Sequence, residues 1–174
     1  MRQKQARKRQ KPSGLKLRQA QPEDGKAILS CLLAAFAPYR DQYTPLAFAD
    51  TVLDRSMLER RMQSMHILVA DLDGDIVGTV AGSVSGDGEG HLRGMAVVPR
   101  CQGTGVAGQL LGGIEAWLKA QLCPRITLDT TLPLRAAMKF YVKHGYSPSG
   151  RTSNFFGMPL FEYHKELAES GQAT

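Results

Sequence analysis

The sequence predicts a mixed α/β domain of α+β character: a central sheet of six to seven strands, mostly antiparallel, carrying about four helices. Three observations predict it. A short strand pattern is followed by two amphipathic helical patterns. Three consecutive strand patterns joined by tight turns make a meander. A glycine-rich strand-to-helix junction then opens a closing alternation of helix, strand, helix and strand. That order is not a uniform βαβ repeat, and no internal repeat is present. With 174 residues, 43% hydrophobic and 22% charged, the chain suits a single core.

The elements follow in order. Residues 1–14 read as a basic, disordered tail, closed by Pro12, Ser13 and Gly14. The alternation of Leu15 and Leu17 with Lys16 and Arg18 starts a half-buried strand. Pro22, Glu23 and Asp24 place a proline and two acids in the first turn of a helix that carries Ile28, Leu29, Leu32, Leu33 and Phe36 and ends at Pro38. A polar aromatic loop over 39–44 precedes a second helical pattern from Leu46 to Met62, broken near Ser56. His66 to Ala70 and Ile76 to Ala81 flank Asp73-Gly74-Asp75, a hairpin signal, because Asp-Gly supplies the positive φ that tight turns require. A glycine-rich turn over 85–90 leads to a strand from Gly90 to Val98, stopped by Pro99.

Beyond it, Val106, Leu110, Leu111, Ile114, Trp117 and Leu118 follow the helical period; Arg125 to Thr131 reads as a buried strand, and Leu134 to His144 as a helix capped by Gly145. One or two strands around 146–149 and 155–166 complete a domain over residues 15–167, leaving 168–174 as a tail.

Charge and cysteine content narrow the function classes. The net charge of +6 comes from 22 Lys and Arg against 16 Asp and Glu. Arg2, Lys4, Arg7, Lys8, Arg9 and Lys11 supply six of the cations, so the body beyond them is balanced. A nucleic-acid-binding domain surface is therefore not indicated; only the tail offers a polybasic contact for nucleic acid or another anionic surface. The longest uncharged apolar stretch, Ala27 to Ala37, is about half of what a membrane span needs. Cys31, Cys101 and Cys123 lack C-x-x-C spacing, and no secretory signal follows the basic start, so a cytoplasmic protein without structural disulfides or thiolate zinc is expected. His66, His144 and His164 have no ligand spacing, and no metal is expected. Cys101 has no motif-placed His to activate it as a nucleophile.

The informative segment runs from Val97 to Gly108, between a strand end and a helix start. The first N–H groups of a helix have no internal partners and sit at the positive end of its dipole, so a phosphate there receives several backbone hydrogen bonds. Gly103, Gly105 and Gly108 remove β-carbons that would hold a pyrophosphate away, and Gly112 and Gly113 extend a small face toward the sheet. Glycines inside a helix cost about 1 kcal/mol each against alanine, which asks for a ligand or close packing in return.

Read literally, GTGVAG is a G-x-G-x-x-G dinucleotide fingerprint, with Asp129 about 20 residues on as a ribose-binding acid, and an NAD(P)-dependent oxidoreductase is the corresponding reading. Against it, four residues separate the strand from the first glycine, and too little chain follows for a second nucleotide-binding half. No Gly-Lys-Ser/Thr follows, which excludes a P-loop.

The run Val97-x-Pro99-x-x-Gln102-Gly103-x-Gly105-Val106-Ala107-x-x-Leu110-Leu111 resembles the acetyl-CoA signature of the GCN5-related N-acetyltransferases (GNAT). Ala137, Phe140, Tyr141, Gly145 and Tyr146 match a second block of that family. The resemblance covers about residues 15–167. It implies a GNAT-type sheet and a pyrophosphate held by the amides of Gln102, Gly103, Thr104, Gly105, Val106, Ala107 and Gly108. It also implies a pantetheine that pairs like an extra strand with Met95, Ala96 and Val97. The sheet would splay between that strand and 125–131, with a backbone N–H near Met95 or Val97 polarising the thioester carbonyl.

By the same resemblance, acetyl-CoA donates its acetyl group directly to a primary amine of a small molecule or a protein, and Tyr141 protonates the departing thiolate. A phenol near pKa 10 and a thiol near about 8.5 make that transfer nearly balanced. Two departures stand out. Arg93 replaces a glutamate common in relatives, so Glu89 and His91 become the base candidates, acting through a bridging water, and a noncatalytic acyl-CoA sensor is the alternative reading. Leu134 replaces a frequent asparagine. The acceptor is expected against the connection between the first two helices, where Tyr39, Arg40 and Tyr43 could bind an amine or a carboxylate. The apolar segment from Phe155 to Phe161 would close that pocket or pair with a second copy as a homodimer.

Overall fold

The computed structural model describes residues 13–167, so the tail at 1–12 and residues 168–174 lie outside the described residues. The elements run β1 (Leu15–Gln19), α1 (Gly25–Phe36), α2 (Pro45–Val52), α3 (Arg55–Ser64), β2 (His66–Leu72), β3 (Asp75–Val84), β4 (Gly90–Val97), α4 (Val106–Ala120), β5 (Arg125–Thr131), α5 (Arg135–Lys143), β6 (Ser147–Phe155) and β7 (Met158–Glu166). Seven strands form one sheet in the order β1-β2-β3-β4-β5-β7-β6; only the β4–β5 pair is parallel. Among the described residues no helix is long and apolar enough to cross a membrane.

The central strands of the sheet are covered on both faces, as the apolar run of β3 requires. Val80 and Leu92 turn toward α4 and meet Leu110, Ile114 and Leu118; Ile126 and Leu128 of β5 join the same core. Ala81 and Ile67 turn the other way and meet Ile28, Leu32 and Leu58 of α1 and α3.

Local chemistry explains where the elements differ from the sequence reading. The first helix begins at Gly25, because Pro22 to Asp24 form a separate 3-10 turn. The aromatic loop is itself a 3-10 turn over Ala37–Gln42. The second helical pattern divides at Leu53, whose φ of 61° leaves the helical region, and Asp54 then caps α3 by accepting the Met57 amide at 2.8 Å. Five α-helices result among the described residues.

Close packing of α4 on the sheet depends on glycines in the strands as well as in the helix. A β-carbon at Gly78 would stand 2.8 Å from Leu110 Cδ1, and one at Gly82 would stand 2.9 Å from Ile114. In the helix, a β-carbon at Gly113 would stand 3.1 and 3.2 Å from Leu68 and Leu17. Gly112 faces open space, which corrects its assignment to the packed face.

Candidate active site

β4 and β5 are paired only from Gly90 to Leu92, against Ile126 to Leu128. Beyond those rungs the strands part, leaving Arg93 to Val97 on one side of an opening and Asp129 to Thr131 on the other. The register of β4 against β3 slips between Thr79 and Ala81, where Gly94 takes φ 65°, so a bulge lies at the point of divergence. Val98 donates to Val77 O of β3 at 2.9 Å. Strand alternation therefore turns the backbone groups of Val97, and of Met95 in the same phase, toward the opening. The Val97 carbonyl indeed faces that way, since it accepts Gln102 Nε2 at 2.9 Å. Unpaired donors and acceptors along this edge can take an extended, strand-like ligand.

The Gln102 side chain ties the following loop to the strand end, and Thr104 Oγ1 holds the loop from within by donating to Cys101 O at 2.6 Å. Gly105 is the N-cap of α4 at φ 92°, a conformation that a β-carbon disfavours. The first backbone bond returning to this cap comes from Gln109, at 3.1 Å, and the amides from Gly103 to Gly108 make no backbone hydrogen bond. β-carbons placed at Gly103 and Gly105 would meet nothing within 4 Å. The loop is thus an exposed cradle of unpaired N–H groups on a 15-residue helix, chemically suited to a diphosphate. His144 closes one side: its Nε2 lies 3.7 Å from where a Gly108 β-carbon would be, and its Nδ1 is 2.8 Å from Phe140 O.

On the α1 face of the sheet, His91 of β4 and Asp129 of β5 project together, with Nε2 to Oδ2 at 3.7 Å. His91 Nδ1 lies 2.9 Å from Thr127 Oγ1, whose own proton goes to Gly90 O at 3.3 Å. The imidazole must then donate from Nδ1 and keep the Nε2 lone pair free. Burial pushes its pKa below the ordinary value, although Asp129 opposes this, and burial raises the Asp129 carboxyl. Glu89 sits at the closed end of the strand pair, 3.6 Å from Arg125. Asp129, which the fingerprint reading assigned to a ribose, serves the His91 pair instead. The alternation of β5 that puts Thr127 and Asp129 on one face was the available signal.

On the opposite face, Tyr141 of α5 is buried at 7% exposure, edge-on to Phe140 and Tyr146 at 5.4 and 5.7 Å. Burial raises its phenol above the ordinary value, so it is protonated at neutral pH. Among the described residues none hydrogen-bonds its hydroxyl. Tyr146, by contrast, donates to Glu115 Oε1 at 2.9 Å, which also takes Lys165 Nζ at 3.0 Å.

Arg93 is drawn off by α2, where Asp50 Oδ2 accepts from it at 2.6 Å. Leu134 packs partly buried on the core beneath α1. Tyr43 turns inward, its hydroxyl 2.8 Å from Thr131 Oγ1 at the open end of β5, and burial raises its pKa. Arg40 lies over the Phe48 ring at 4.6 Å, and Tyr39 packs on the same core. Near them, Gln42, Leu132, Arg135 and Met158 line an open cleft of about 470 Å³. Among the described residues no cluster of His, Cys, Asp and Glu could hold a metal ion.

A split parallel strand pair with an inner edge that β5 leaves unpaired, and an amide cradle at the end of that edge, define a fold suited to a long ligand across its sheet. The family model described as Acetyltransferase (GNAT) family matches residues 29–146, and the chain belongs to that family. The resemblance read from the glycine loop and the Tyr141 block is thereby shown, and with it an acetyl-CoA-dependent class of acyltransferase. Membership also removes the dinucleotide reading, because the mostly antiparallel sheet is not the Rossmann arrangement.

Solved structures share the fold. PaiA N-acetyltransferase from Thermoplasma acidophilum, in complex with coenzyme A, is 14% identical, with a TM-score of 0.77 over 88% of this chain and 99% of its own. A GCN5-related N-acetyltransferase from Rhodopseudomonas palustris is 24% identical, with a TM-score of 0.74 over 90% and 98%. Ard1 from Thermoplasma volcanium is 19% identical, with a TM-score of 0.71 over 90% and 99%. No curated protein matches the sequence.

Proposed function

We propose that the protein transfers the acetyl group of acetyl-CoA to a primary amine of a small molecule or a protein, by direct attack in a ternary complex. The observation that carries this reading is the opening between β4 and β5, with a neutral imidazole beside it on the α1 face, while a buried, protonated phenol lies in the core on the other face of the sheet. Acetyl-CoA supplies a thioester carbonyl; the chain supplies everything else. The amides from Gly103 to Gly108 hold the diphosphate, while Gln102, expected among them, donates its own amide to Pro99 O at 3.2 Å and ties the loop to the strand end. The edge of β4 at Met95 and Val97, with Ala96 paired to β3 between them, aligns the pantetheine. An N–H of Met95 or Val97 polarises the carbonyl, a contribution of about 3 kcal/mol where such donors have been removed elsewhere.

An acceptor arrives as an ammonium and must lose a proton before it attacks. The Nε2 lone pair of His91 and the Asp129 carboxylate offer two acceptors for that proton through a bridging water, and His91 takes it. Glu89, held by Arg125 at the closed end, is the poorer base. Tyr141 gives its proton to the departing sulfur, and the phenolate is made good by the second proton that the nitrogen sheds as the amide forms. Tyr39, Arg40 and Tyr43 shape the acceptor side, with Tyr43 pinned to Thr131.

Arg93 in place of a glutamate favours a second reading, a noncatalytic acyl-CoA sensor. Titration with acetyl-CoA and separately with NAD, followed by thiol release on a panel of amines, decides between them. Saturable acetyl-CoA binding with release on at least one amine is expected. Binding without release on any amine would establish the sensor, and NAD binding alone would end both readings.

A further inference from the structure

Arg61 of α3 is the one guanidinium on the α1 face that has been brought to β4 without being given an acceptor among the described residues. Its Nη1 reaches the strand bulge, where a β-carbon at Gly94 would stand only 2.8 Å away. The ground around it is mostly apolar: Leu32, Leu58, Ile67 and Ala81, with Thr79, line a cavity of about 10 Å³ with it. Among the described residues no side-chain hydrogen bond or ion pair engages its guanidinium. The nearest opposing charge, Asp50, is already taken by Arg93 at 2.6 Å, and Arg93 itself repels Arg61. Arg61 is thus left without a carboxylate of its own at the point where β4 leaves β5. Burial pulls the Arg61 pKa down to about 10, so the group is still charged at neutral pH. A partly buried cation without a partner is costly unless something supplies an anion.

The position of that charge says what the anion belongs to. Gly94 precedes Met95, whose edge borders the opening, and it lies on the strand between the Arg93 and Met95 positions. His91 and Asp129 stand toward the closed end of the same face. Along this face a positive end and a pair of proton acceptors are separated by about three strand residues, roughly 10 Å. We infer that Arg61 binds an oxyanion, a carboxylate or a phosphate, carried by the acceptor amine itself, so that the natural acceptor is an amino acid or an aminoalkyl phosphate and not a simple amine or polyamine. The planar fork of the guanidinium suits both anions in bidentate fashion. This inference rests on acyl transfer to an amine as the activity of the site, and it names the acceptor class.

The test separates the two. Acetyl-CoA binding and thiol release report on the activity alone. The acceptor class is read from product binding by calorimetry in the presence of CoA, which needs no turnover. N-acetylphenylalanine and N-acetylleucine are compared with N-acetylphenethylamine and N-acetylisoamylamine, and O-phospho-N-acetylethanolamine with N-acetylethanolamine. In at least one pair the anionic member should bind about tenfold more tightly or better; the carboxylate and phosphate pairs distinguish the two anions. Arg61→Met should bring the members of that pair to within about threefold, with acetyl-CoA affinity retained, and Arg61→Lys should keep part of the preference. Equal or absent binding of both members in every pair would overturn the inference. So would a preference that survives in Arg61→Met.

Discussion

His91 Nε2 stands 3.7 Å from Asp129 Oδ2, beside the last rungs on which β4 and β5 are paired. Each residue alters what the other can do. The imidazole, held at Nδ1 by Thr127, is neutral because burial lowers its pKa, and the carboxylate beside it favours any ammonium that enters.

The base is active when unprotonated. Activity should therefore rise with pH through an apparent pKa below that of a free imidazole and level off above it. His91→Gln should lower kcat/KM about 100-fold and abolish this acid limb, leaving acetyl-CoA affinity intact. Asp129→Asn should shift the limb to lower pH, because the anion that favours the imidazolium is gone. An unchanged profile in both variants would remove the pair from the mechanism.

Tyr141 stands across the sheet from that pair and is read out separately. Tyr141→Phe keeps the ring that packs on Phe140 and Tyr146, so folding should be preserved while kcat falls at least about tenfold with little change in acetyl-CoA affinity. Equal turnover of the two proteins would assign Tyr141 to packing alone.

The strand meander, the glycine loop and the last two helices were legible in the sequence because each carries local chemistry: Asp73-Gly74 for a turn, Gly105 for a left-handed cap, Gly145 past a helix end. The division of α2 from α3 was less visible, although Asp54 is an ordinary N-cap, because the apolar spacing runs on across it. The long hairpin of β6 and β7 was read only in part. β6 is an edge strand with few buried positions and little alternation to show. What local patterning could not show was anything made by pairing distant strands. The opening after Leu92 depends on where β5 stops following β4, and Asp129 and Arg61 gain their roles only from neighbours 38 and 33 residues away in the chain, at His91 and Gly94.

Gly105 gives the loop its own test. At φ 92° a side chain is strained by about 1–2 kcal/mol, yet a β-carbon there would meet no neighbour. Gly105→Ala should therefore cost modest stability, seen as a small fall in Tm, and should weaken acetyl-CoA binding severalfold by turning the cap amides out of line. Unaltered affinity in a folded variant would place the diphosphate elsewhere.

Arg18 links the start of the sheet to two carboxylates, with Nη1 2.7 Å from Asp24 Oδ2 and Nε 3.0 Å from Asp71 Oδ2. Asp24 also accepts the Gln21 amide at 2.7 Å, and Asp71 accepts the Gly74 amide at 2.8 Å, so one side chain joins the first helical turn to the β2–β3 hairpin. Both acids are held below the ordinary carboxylate range, Asp24 first by Arg18 and Asp71 first by the Gly74 amide. Lowered carboxyl values in the folded state mean that this stabilisation is fully present above the unfolded range, near about pH 4, and is lost as pH falls through the folded values. With more than a third of the Arg18 side chain exposed to solvent, the network contributes only about 1 kcal/mol. Arg18→Gln should therefore lower Tm by a few degrees at pH 7, less so at high salt, and the difference from the parent protein should close as the pH is taken down through the lowered values of Asp24 and Asp71. A gap that persists undiminished in acid would mean that Arg18 stabilises through the packing of its stem on β1 and β2 rather than through its charge.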